Sequence, residues 1–366
     1  MKNEKIVLST IAYCQRLKSF RTRAALVLTT LVLVVAATTG ATAQTFTTLD
    51  SFDGTDGSFP YAGLAQAGNL YGTTVSGGAN GEGTVFTMTQ SGNLTTLHSF
   101  LYYTDGELPY AGLVQGRDGN FYGTTYAGGT NNAGGTIFKI TPSGKLTALY
   151  SFCSEVVNGN CTDGSSPDAG LVQDTFGNFY GTTSQGGASG NCGEVGCGTV
   201  FKITPSGKLK TLHRFQRTDG LYPYAGLVQA TNGNFYGTTT EGGANTTDCG
   251  GFGCGTVFKI TPSGKLKTLY NFCSQSGCTD GSSPDAGLVQ DTNGNLYGTT
   301  QGGGANSYGT VFTITTSGKL KTLHSFDSTD GAIPDAGLVQ DINGYLYGTT
   351  TEGGANGEGS VFKLLP

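Results

Sequence analysis

Apolar residues of this chain fall in short runs rich in Val, Leu, Tyr, Phe and Thr, each bounded by Gly, Asn, Asp or Ser-Gly. Runs of this length and composition predict β-strands rather than helices. One stretch shows the order, with runs at 286–291, 293–300, 309–314 and 319–326. The turns D-x-N-G-N and T-x-S-G, after the first and third runs, fit tight hairpins. The pattern therefore predicts an antiparallel meander of four strands.

This meander is repeated along the chain. The motif G-L-V-Q, written G-L-A-Q in the first copy, recurs at spacings of 49, 58, 56, 61 and 50 residues. A period of that size is typical of one propeller blade per copy. The sequence therefore predicts an all-β fold, a six-bladed β-propeller of four-stranded antiparallel blades. The motif glycines are Gly63, Gly112, Gly170, Gly226, Gly287 and Gly337.

Two further features of the repeat bear on packing. Each second strand contains a glycine, such as Gly72, Gly123 or Gly181, which we expect to let an adjacent backbone approach closely. The sixth copy stops at 359–365, after its third strand, whereas residues 45–52 match the fourth-strand phrase and precede the first copy. We expect this N-terminal segment to complete the last blade and remove a free sheet edge.

Residues 1–43 have the pattern of an export signal, with basic residues, an apolar run over 24–37 and small residues at 41–43. They predict a signal peptide over 1–43 and a propeller domain over 44–366 that is secreted or extracellular, with the periplasm or the cell surface as alternatives. No second apolar run of about 18 residues follows, so no membrane span is expected in the mature chain. An uncleaved anchor is the alternative.

The charge of the mature chain limits its partners. Removing the six basic residues and one acidic residue of 1–43 from totals of 20 and 25 leaves 14 basic against 24 acidic residues, a net charge of −10. Nucleic acid or an anionic membrane would require a clustered basic surface, and the evenly spaced lysines do not form one. We therefore expect a monomer with no nucleic-acid partner.

Loop lengths and cysteines pick out one face of the propeller. The loops between blades and those between second and third strands open on the same face, here called the loop face, and every length change falls there. An even number of cysteines in an exported chain favours disulfides. Metal ligation is the rival, but C-x4-C is not the usual zinc spacing and no histidine lies nearby in sequence. The expected pairs are Cys153 with Cys161, Cys192 with Cys197, Cys249 with Cys254, and Cys273 with Cys278.

Histidines and aspartates of the repeat predict structural roles. His98, His213 and His324 share one position in the outermost strand, so they cannot converge on a catalytic set. A T-D-G motif before each copy predicts a turn in which Asp bonds backbone. Because the D-x-D-x-D-G spacing is absent, we expect no metal or other cofactor, with calcium as the alternative. The motif aspartates are Asp56, Asp105, Asp163, Asp219, Asp280 and Asp330.

The residue after the proline that precedes each first strand is the main binding candidate. If the first strands line a central channel, these residues ring its mouth, where tyrosines and carboxylates would stack on and hydrogen-bond a sugar or a peptide. The alternative is that the tyrosines pack between blades. The positions are Tyr61, Tyr110, Asp168, Tyr224, Asp285 and Asp335, and Gln185, Glu241 and Glu352 are further polar candidates on the loop face.

The phrases N-L-Y-G-T-T, G-G-A-N and G-T-V-F-K-I-T-P-S-G resemble the tandem repeat of the GloVer family, bacterial exported proteins with a choice of C-terminal anchors. The resemblance covers 45–366 and implies an exported or surface repeat protein without an assigned reaction or ligand. This chain ends at Leu365 and Pro366 without a sorting tail, which favours free secretion. D-x-x-G-N-L-Y is more loosely similar to NHL-type propellers, which include scaffolds and lyases, but likeness of fold transfers no site.

These observations predict a secreted, non-catalytic binding or scaffold propeller that recognises a glycan, peptide or protein through the disulfide-stapled loop face. One alternative is a polysaccharide-acting, lyase-like enzyme with its site at the channel mouth, for which Arg214 and Arg217 are the cationic candidates. The other is a structural envelope protein, which would have no cleft with convergent polar groups.

Overall fold

The computed structural model describes residues 46–130, 134–187, 192 and 195–366. Leu49–Pro366 forms one compact unit, and only residues 46–48 of the other unit, Met1–Thr48, are described. The predicted signal peptide over 1–43 and its cleavage site therefore lie outside the described residues. In the described chain, no helix is long and apolar enough to cross a membrane.

The strands follow the repeat. The first blade contains β1 (Ala65–Ala67), β2 (Asn69–Thr74), β3 (Thr84–Met88) and β4 (Leu94–Ser99). The second contains β5 (Val114–Gln115), β6 (Phe121–Thr125), β7 (Thr136–Ile140) and β8 (Leu146–Ser151), and a hairpin of β9 (Val156–Val157) and β10 (Asn160–Cys161) follows. The third contains β11 (Val172–Gln173), β12 (Phe179–Thr183), β13 (Thr199–Ile203) and β14 (Leu209–Arg214).

The fourth blade contains β15 (Val228–Gln229), β16 (Phe235–Thr239), β17 (Thr256–Ile260) and β18 (Leu266–Asn271), followed by a 3-10 turn at Ser276–Cys278. The fifth contains β19 (Val289–Gln290), β20 (Leu296–Thr300), β21 (Thr310–Ile314) and β22 (Leu320–Ser325). The sixth contains β23 (Val339–Gln340), β24 (Leu346–Thr350) and β25 (Ser360–Leu364).

Within each blade, strands pair in chain order and antiparallel, which confirms the predicted all-β propeller of four-stranded meanders. Aromatic side chains join successive blades. Tyr71 of β2 stacks on Phe121 of the second blade with ring centroids 4.0 Å apart, and Tyr122 meets Phe179 of the third blade at the same distance. Fully buried rings of this size supply much of the apolar area that holds neighbouring blades together.

The predicted closure of the last blade is not confirmed. Among the described residues, the sixth sheet has three strands, β23, β24 and β25, and no strand precedes β1. Val361 in β25 is 80% exposed, whereas Val85 and Val311, at the equivalent position of β3 and β21, are fully buried. The outer edge of β25 is therefore left without the fourth strand that covers it in other blades.

The N-terminal segment nevertheless packs on the first blade. Phe52 contacts Phe86 of β3 edge-on with centroids 5.1 Å apart. Phe326, at the end of the fifth blade, contacts Phe362 of the sixth blade in the same way at 5.2 Å. Residues 49–52 therefore lie against the first blade as the end of a preceding fourth strand would, but the described residues show no pairing of this segment with the last blade.

The glycine in the second strand makes room for a side chain. A Cβ on Gly123 would lie 2.5 Å from Cζ of Phe138 and 3.0 Å from Cδ2 of Leu113. Equivalent Phe and Leu atoms crowd Gly72 and Gly181. The expectation of a closely approaching backbone is therefore wrong, because the space above each glycine is filled by the aromatic ring of the paired third strand.

We expect Gly123→Ala to lower the free energy of unfolding by about 1 to 3 kcal/mol, because the added methyl group must displace the buried ring of Phe138. Urea denaturation followed by circular dichroism would measure the change. Gly170→Ala is the matched control, since the nearest atom to its Cβ would be 3.7 Å away. Equal losses in the two variants would contradict this account.

Candidate ligand-binding site

A strained backbone position recurs once in every blade, on the loop face. The residue before each proline of this face has φ between 53° and 57°. Non-glycine residues seldom adopt this left-handed conformation, and the β-branched Ile333 is especially unfavourable there. Such strain often accompanies a functional site. The other five residues are Phe59, Leu108, Ser166, Tyr222 and Ser283.

Hydrogen bonds to two blades hold this position in place. Leu108 N–H donates to Glu82 O of the first blade at 3.2 Å, and Leu108 O accepts from Tyr126 N–H at the end of β6 at 3.0 Å. Ser166 makes the same pair of bonds, with Gly134 O and Ser184 N–H. The left-handed turn therefore joins neighbouring blades and presents the residue after each proline at an equivalent place.

Most of the predicted binding residues are brought together. Tyr61 and Tyr110 meet edge-on with centroids 6.1 Å apart. Asp168 belongs to the third blade, Asp285 to the fifth, and Tyr224 to the blade between them. The negative charges of both carboxylates raise the pKa of Tyr224, so both lie near its hydroxyl. The charge of Asp335 likewise raises the pKa of the neighbouring Asp285. We call this series the arc: Tyr61, Tyr110, Asp168, Tyr224, Asp285 and Asp335.

The tyrosines of the arc are partly exposed to solvent. Tyr61 is 78% exposed, and Tyr224 and Tyr110 are 40% and 36% exposed. Burial and then the carboxylates of Asp168 and Asp285 raise the pKa of Tyr224 to about 12, so its hydroxyl stays protonated and can donate a hydrogen bond. Their rings can therefore meet a ligand, while Tyr61 and Tyr110 also contact each other between the first two blades.

Asp168 is the most perturbed carboxyl of the arc. Burial raises its pKa to about 6, the nearby Ser184 hydroxyl, which donates to Ser166 O at 3.0 Å, lowers it, and the charge of Asp285 raises it further. Its Oδ2 is enclosed and has no hydrogen-bond partner among the described residues. A half-buried carboxyl with an enclosed, unpaired oxygen carries a desolvation cost when it is ionised, and a hydrogen bond from a ligand to the carboxyl group would offset part of that cost.

The other two arc carboxyls are held by the preceding blade. Thr240 Oγ1 donates to Asp285 Oδ1 at 2.7 Å, and Gln301 Nε2 donates to Asp335 Oδ1 at 2.7 Å. Burial raises the pKa of Asp285, and the bond from Thr240 opposes that rise. Sequence reasoning missed Thr240 and Gln301, although both directly follow the second-strand run and are polar.

The remaining predicted candidates face elsewhere. Gln185 and Glu241 come one residue after Ser184 and Thr240, and successive side chains of an extended backbone point to opposite sides. Burial raises the pKa of Glu241, and Arg217 rather than an arc residue opposes the rise. Glu352 follows the equivalent residue of the sixth blade, and its backbone pairs with Ala332. None of the three is linked to the arc by a contact that the described residues show.

An acid pair that the sequence did not reveal lies between the first two blades. Burial, followed by a hydrogen bond and the charge of Glu82, raises the pKa of Glu107 to about 7. Glu107 therefore keeps its proton closer to neutral pH than an ordinary glutamate does. The two glutamates belong to different repeat positions, one before β3 and the other after a T-D-G motif, so only the packing of adjacent blades brings them together.

The two arginine candidates support loops. Arg214 Nε donates to Thr162 O at 2.6 Å and lies 3.7 Å from Glu155. Arg217 donates to Gly251 O and lies over the ring of Phe252, with its guanidinium carbon 4.9 Å from the centroid. Both side chains thus fix the long loops around the cysteines, and neither is positioned to neutralise charge at the arc.

The four predicted disulfides are present. Their Cα atoms are 4.4 Å apart for Cys153–Cys161 and 5.2 Å for Cys192–Cys197. The corresponding distances are 5.3 Å for Cys249–Cys254 and 4.0 Å for Cys273–Cys278. All four close loops of the loop face in the second, third and fourth blades or directly after them, so they restrict the loops beside the arc.

The histidines and T-D-G aspartates serve the blade junctions. His98 Nε2 lies 2.7 Å from Asp105 Oδ2, and the carboxylate also accepts from Leu101 N–H. His213 pairs with Asp219 and His324 with Asp330 in the same way. The predicted backbone-bonding role of the aspartates is confirmed, and each histidine bonds the aspartate that precedes the next repeat.

Clefts also occur on the opposite face, between D-x-N-G turns of adjacent blades. One of about 400 Å³ is lined by Asp291, Tyr297 and Ile342, and one of about 380 Å³ by Asp174 and Phe176. The carboxylates there are already satisfied. Burial would raise the pKa of Asp291, but bonds from Asn295 and Tyr297 outweigh it and lower that pKa. We therefore favour the arc, where a carboxyl oxygen is unpaired, over these clefts.

The repeat model of one family matches almost the whole described chain. Matches to the Gloeobacter/Verrucomicrobia repeat cover residues 34–193, 153–278 and 245–366. The chain belongs to this family. The predicted family resemblance is therefore confirmed, and the arc lies within the matched repeats. No curated protein matches this Gloeobacter/Verrucomicrobia repeat chain.

Solved structures give distant likenesses to this repeat protein. A gluconolactonase from Xanthomonas campestris is 16% identical with a TM-score of 0.45, covering 86% of this chain and 88% of that one. A protein of unknown function from Bacteroides thetaiotaomicron is 15% identical with a TM-score of 0.46, covering 84% and 69%. A luciferin-regenerating enzyme is 15% identical with a TM-score of 0.45, covering 85% and 92%. At these scores the likenesses carry no argument about the function of this chain.

Proposed function

We propose that this protein is an exported, non-catalytic binding module whose arc takes a carbohydrate. The observation that carries the proposal is Asp168, a half-buried carboxyl with an unpaired oxygen, next to the partly exposed ring of Tyr224. A site of this kind offers an aromatic face and a hydrogen-bond acceptor together. The disulfides that restrict the neighbouring loops support a preformed site.

The charges of the arc favour a hydroxyl-rich, uncharged glycan. Asp168, Asp285 and Asp335 would repel an anionic polymer, and the acidic mature chain would add to that repulsion. Sugar hydroxyls can donate to the carboxyl oxygens, while the apolar face of a sugar ring can pack on Tyr110 or Tyr224. A basic peptide is the competing ligand, and the test must distinguish it from a glycan.

One observation favours a second candidate, a polysaccharide-acting enzyme. Asp168, with its pKa raised to about 6, and the neighbouring Asp285 form a pair of carboxyls whose protonation differs from that of ordinary aspartates. A carboxyl that keeps its proton near neutral pH is suited to general acid catalysis. Under this candidate, Asp168 would protonate a leaving oxygen and Asp285 would be the base.

A glycan array probed with the purified protein, with and without calcium, tests the proposal. We expect Tyr224→Ala to weaken binding about tenfold, because the loss of one aromatic contact is worth about 1.4 kcal/mol. Phe176→Ala is the matched control, because this aromatic residue is 90% exposed on the opposite face. It should leave binding unchanged.

Other results would redirect the assignment. Binding that is lost in Phe176→Ala and kept in Tyr224→Ala would place the site at the D-x-N-G clefts. Binding to basic peptides without any glycan would identify a peptide module. Cleavage of a bound polymer that disappears in Asp168→Asn would establish the enzyme in place of the binding module.

A further inference from the structure

The sulfur atoms of two disulfides form a single cluster on the fourth blade. Cys249 and Cys254 lie in the loop between β16 and β17, and Cys273 and Cys278 follow β18. All four Sγ atoms lie within 4.8 Å of one another, and Cys249 Sγ is 3.8 Å from Cys273 Sγ across the two bonds. Three of the four residues are buried, and Cys249 is partly buried.

The backbone of the blade brings the two pairs together. Thr256 at the start of β17 pairs with Asn271 at the end of β18. Cys254 and Cys273 each lie two residues beyond this pair, so they emerge at the same end of the sheet. Cys254 O accepts from Ser283 N–H at 2.9 Å, and Cys273 N–H donates to Gly281 O at 3.2 Å. These bonds place both cysteines without the help of the S–S bonds.

Other blades lack one member of this arrangement. In the second blade, Gly134 occupies the place of Cys254, and a Cβ there would lie 2.8 Å from Cys153 Sγ. In the third blade, Cys197 occupies that place, but Gln216 stands where Cys273 would be. The fourth blade is therefore where four thiols can converge, and the other two pairs are internal controls.

The separation between the two disulfides is close to the spacing of sulfur ligands in a four-thiolate metal site. Tetrahedral Zn²⁺ with Zn–S distances of about 2.3 Å separates its sulfur ligands by about 3.8 Å. The four sulfurs would need to move by only a fraction of that distance. The Cys249–Cys254 loop is also held by the cationic Arg217, which donates to Gly251 O. That positive charge would favour thiolates in the same loop.

We propose that the reduced protein binds one Zn²⁺ through the thiolates of Cys249, Cys254, Cys273 and Cys278. Two equivalents of a dithiol reductant supply four electrons and four protons, break both S–S bonds, and become disulfides themselves. Binding of Zn²⁺ then releases the four thiol protons to water. Reoxidation by a disulfide oxidant restores both S–S bonds and expels the cation. The metal-bound and disulfide forms thus belong to reducing and oxidising compartments respectively.

Cobalt titration tests this site directly. The purified protein is reduced with a phosphine under anaerobic conditions and titrated with Co²⁺, which reports a tetrahedral four-thiolate site by its visible and charge-transfer absorption. We expect one equivalent of Co²⁺ to produce this spectrum and Zn²⁺ to displace it. The double variants C249S/C254S and C273S/C278S should each lose the spectrum and bind Co²⁺ at least about tenfold more weakly.

Controls distinguish the cluster from nonspecific thiol binding. C153S/C161S removes a disulfide of the same face and should leave both the stoichiometry and the spectrum unchanged. The oxidised protein should bind no Co²⁺ with this spectrum. Absence of binding in the reduced protein, whether folded or unfolded by circular dichroism, would overturn the proposal. Retention of the spectrum when either fourth-blade pair is removed would overturn it as well.

Discussion

Asp280→Ala should lower the free energy of unfolding by about 2 to 3 kcal/mol, because it removes a fully buried carboxylate that accepts hydrogen bonds from Tyr270 and Ser274. Asp280 is fully buried, and its Oδ2 accepts from Tyr270 OH at 2.7 Å and from both N–H and Oγ of Ser274 at 2.9 Å. The change also removes the contact that fixes the fourth strand of the blade to the next junction. Urea denaturation followed by tyrosine fluorescence would measure it, since the chain contains no tryptophan.

The same motif supplies the control for this variant. Asp56, in the first T-D-G, is only partly buried, and Asp53 N–H donates to its Oδ1 at 3.0 Å. Asp56→Ala should therefore cost about 1 kcal/mol or less. Equal losses in Asp56→Ala and Asp280→Ala would show that the motif acts through its turn alone and not through the buried network.

The repeat made most of the fold predictable. Each strand motif recurs with nearly the same residues, so the strands assigned to 286–326 can be assigned to every copy. The short turns between these strands predict their antiparallel order. The closure was less predictable. It depends on a pairing between β25 and residues 45–52, which lie at opposite ends of the repeat region. The likeness of 45–52 to a fourth strand does not by itself determine whether that pairing forms. The described structure shows the contact of Phe52 with Phe86 but no fourth strand beside β25.

The site was predictable where it followed the repeat. The arc residues share one position after a proline, so their convergence could be expected from the sequence. Contacts that join different repeat positions of neighbouring blades could not be expected from the sequence. Thr240 meets Asp285 across a blade junction, and Glu82 meets Glu107 in the same manner. The four sulfurs of the fourth blade likewise converge only through the register of β17 with β18.

Asp168→Asn should stabilise the unliganded protein at pH 7 by about 3 kcal/mol and have little effect at pH 4. Burial raises the pKa of Asp168 from 3.8 to about 6, so the folded state holds the proton more tightly than the unfolded state does. The stability that this proton contributes is full below the unfolded pKa and is lost as the pH rises through about 6. Asparagine has nearly the same shape and cannot ionise, so the variant does not lose this stability as the pH rises. Urea denaturation at the two pH values would measure it.

Asp174→Asn should behave in the opposite way. Burial opposes ionisation of Asp174, but bonds from Asn178 and Tyr180 outweigh it and lower the pKa of this turn carboxyl. Its ionised form therefore stabilises the protein above the unfolded pKa, and the asparagine variant should lose stability at pH 7. Destabilisation by Asp168→Asn at pH 7 would mean that the carboxylate is satisfied in the folded protein. If instead Asp168→Asn stabilises the protein and weakens glycan binding, the charge of Asp168 is unfavourable without a ligand and is offset when a sugar hydroxyl donates to the carboxylate.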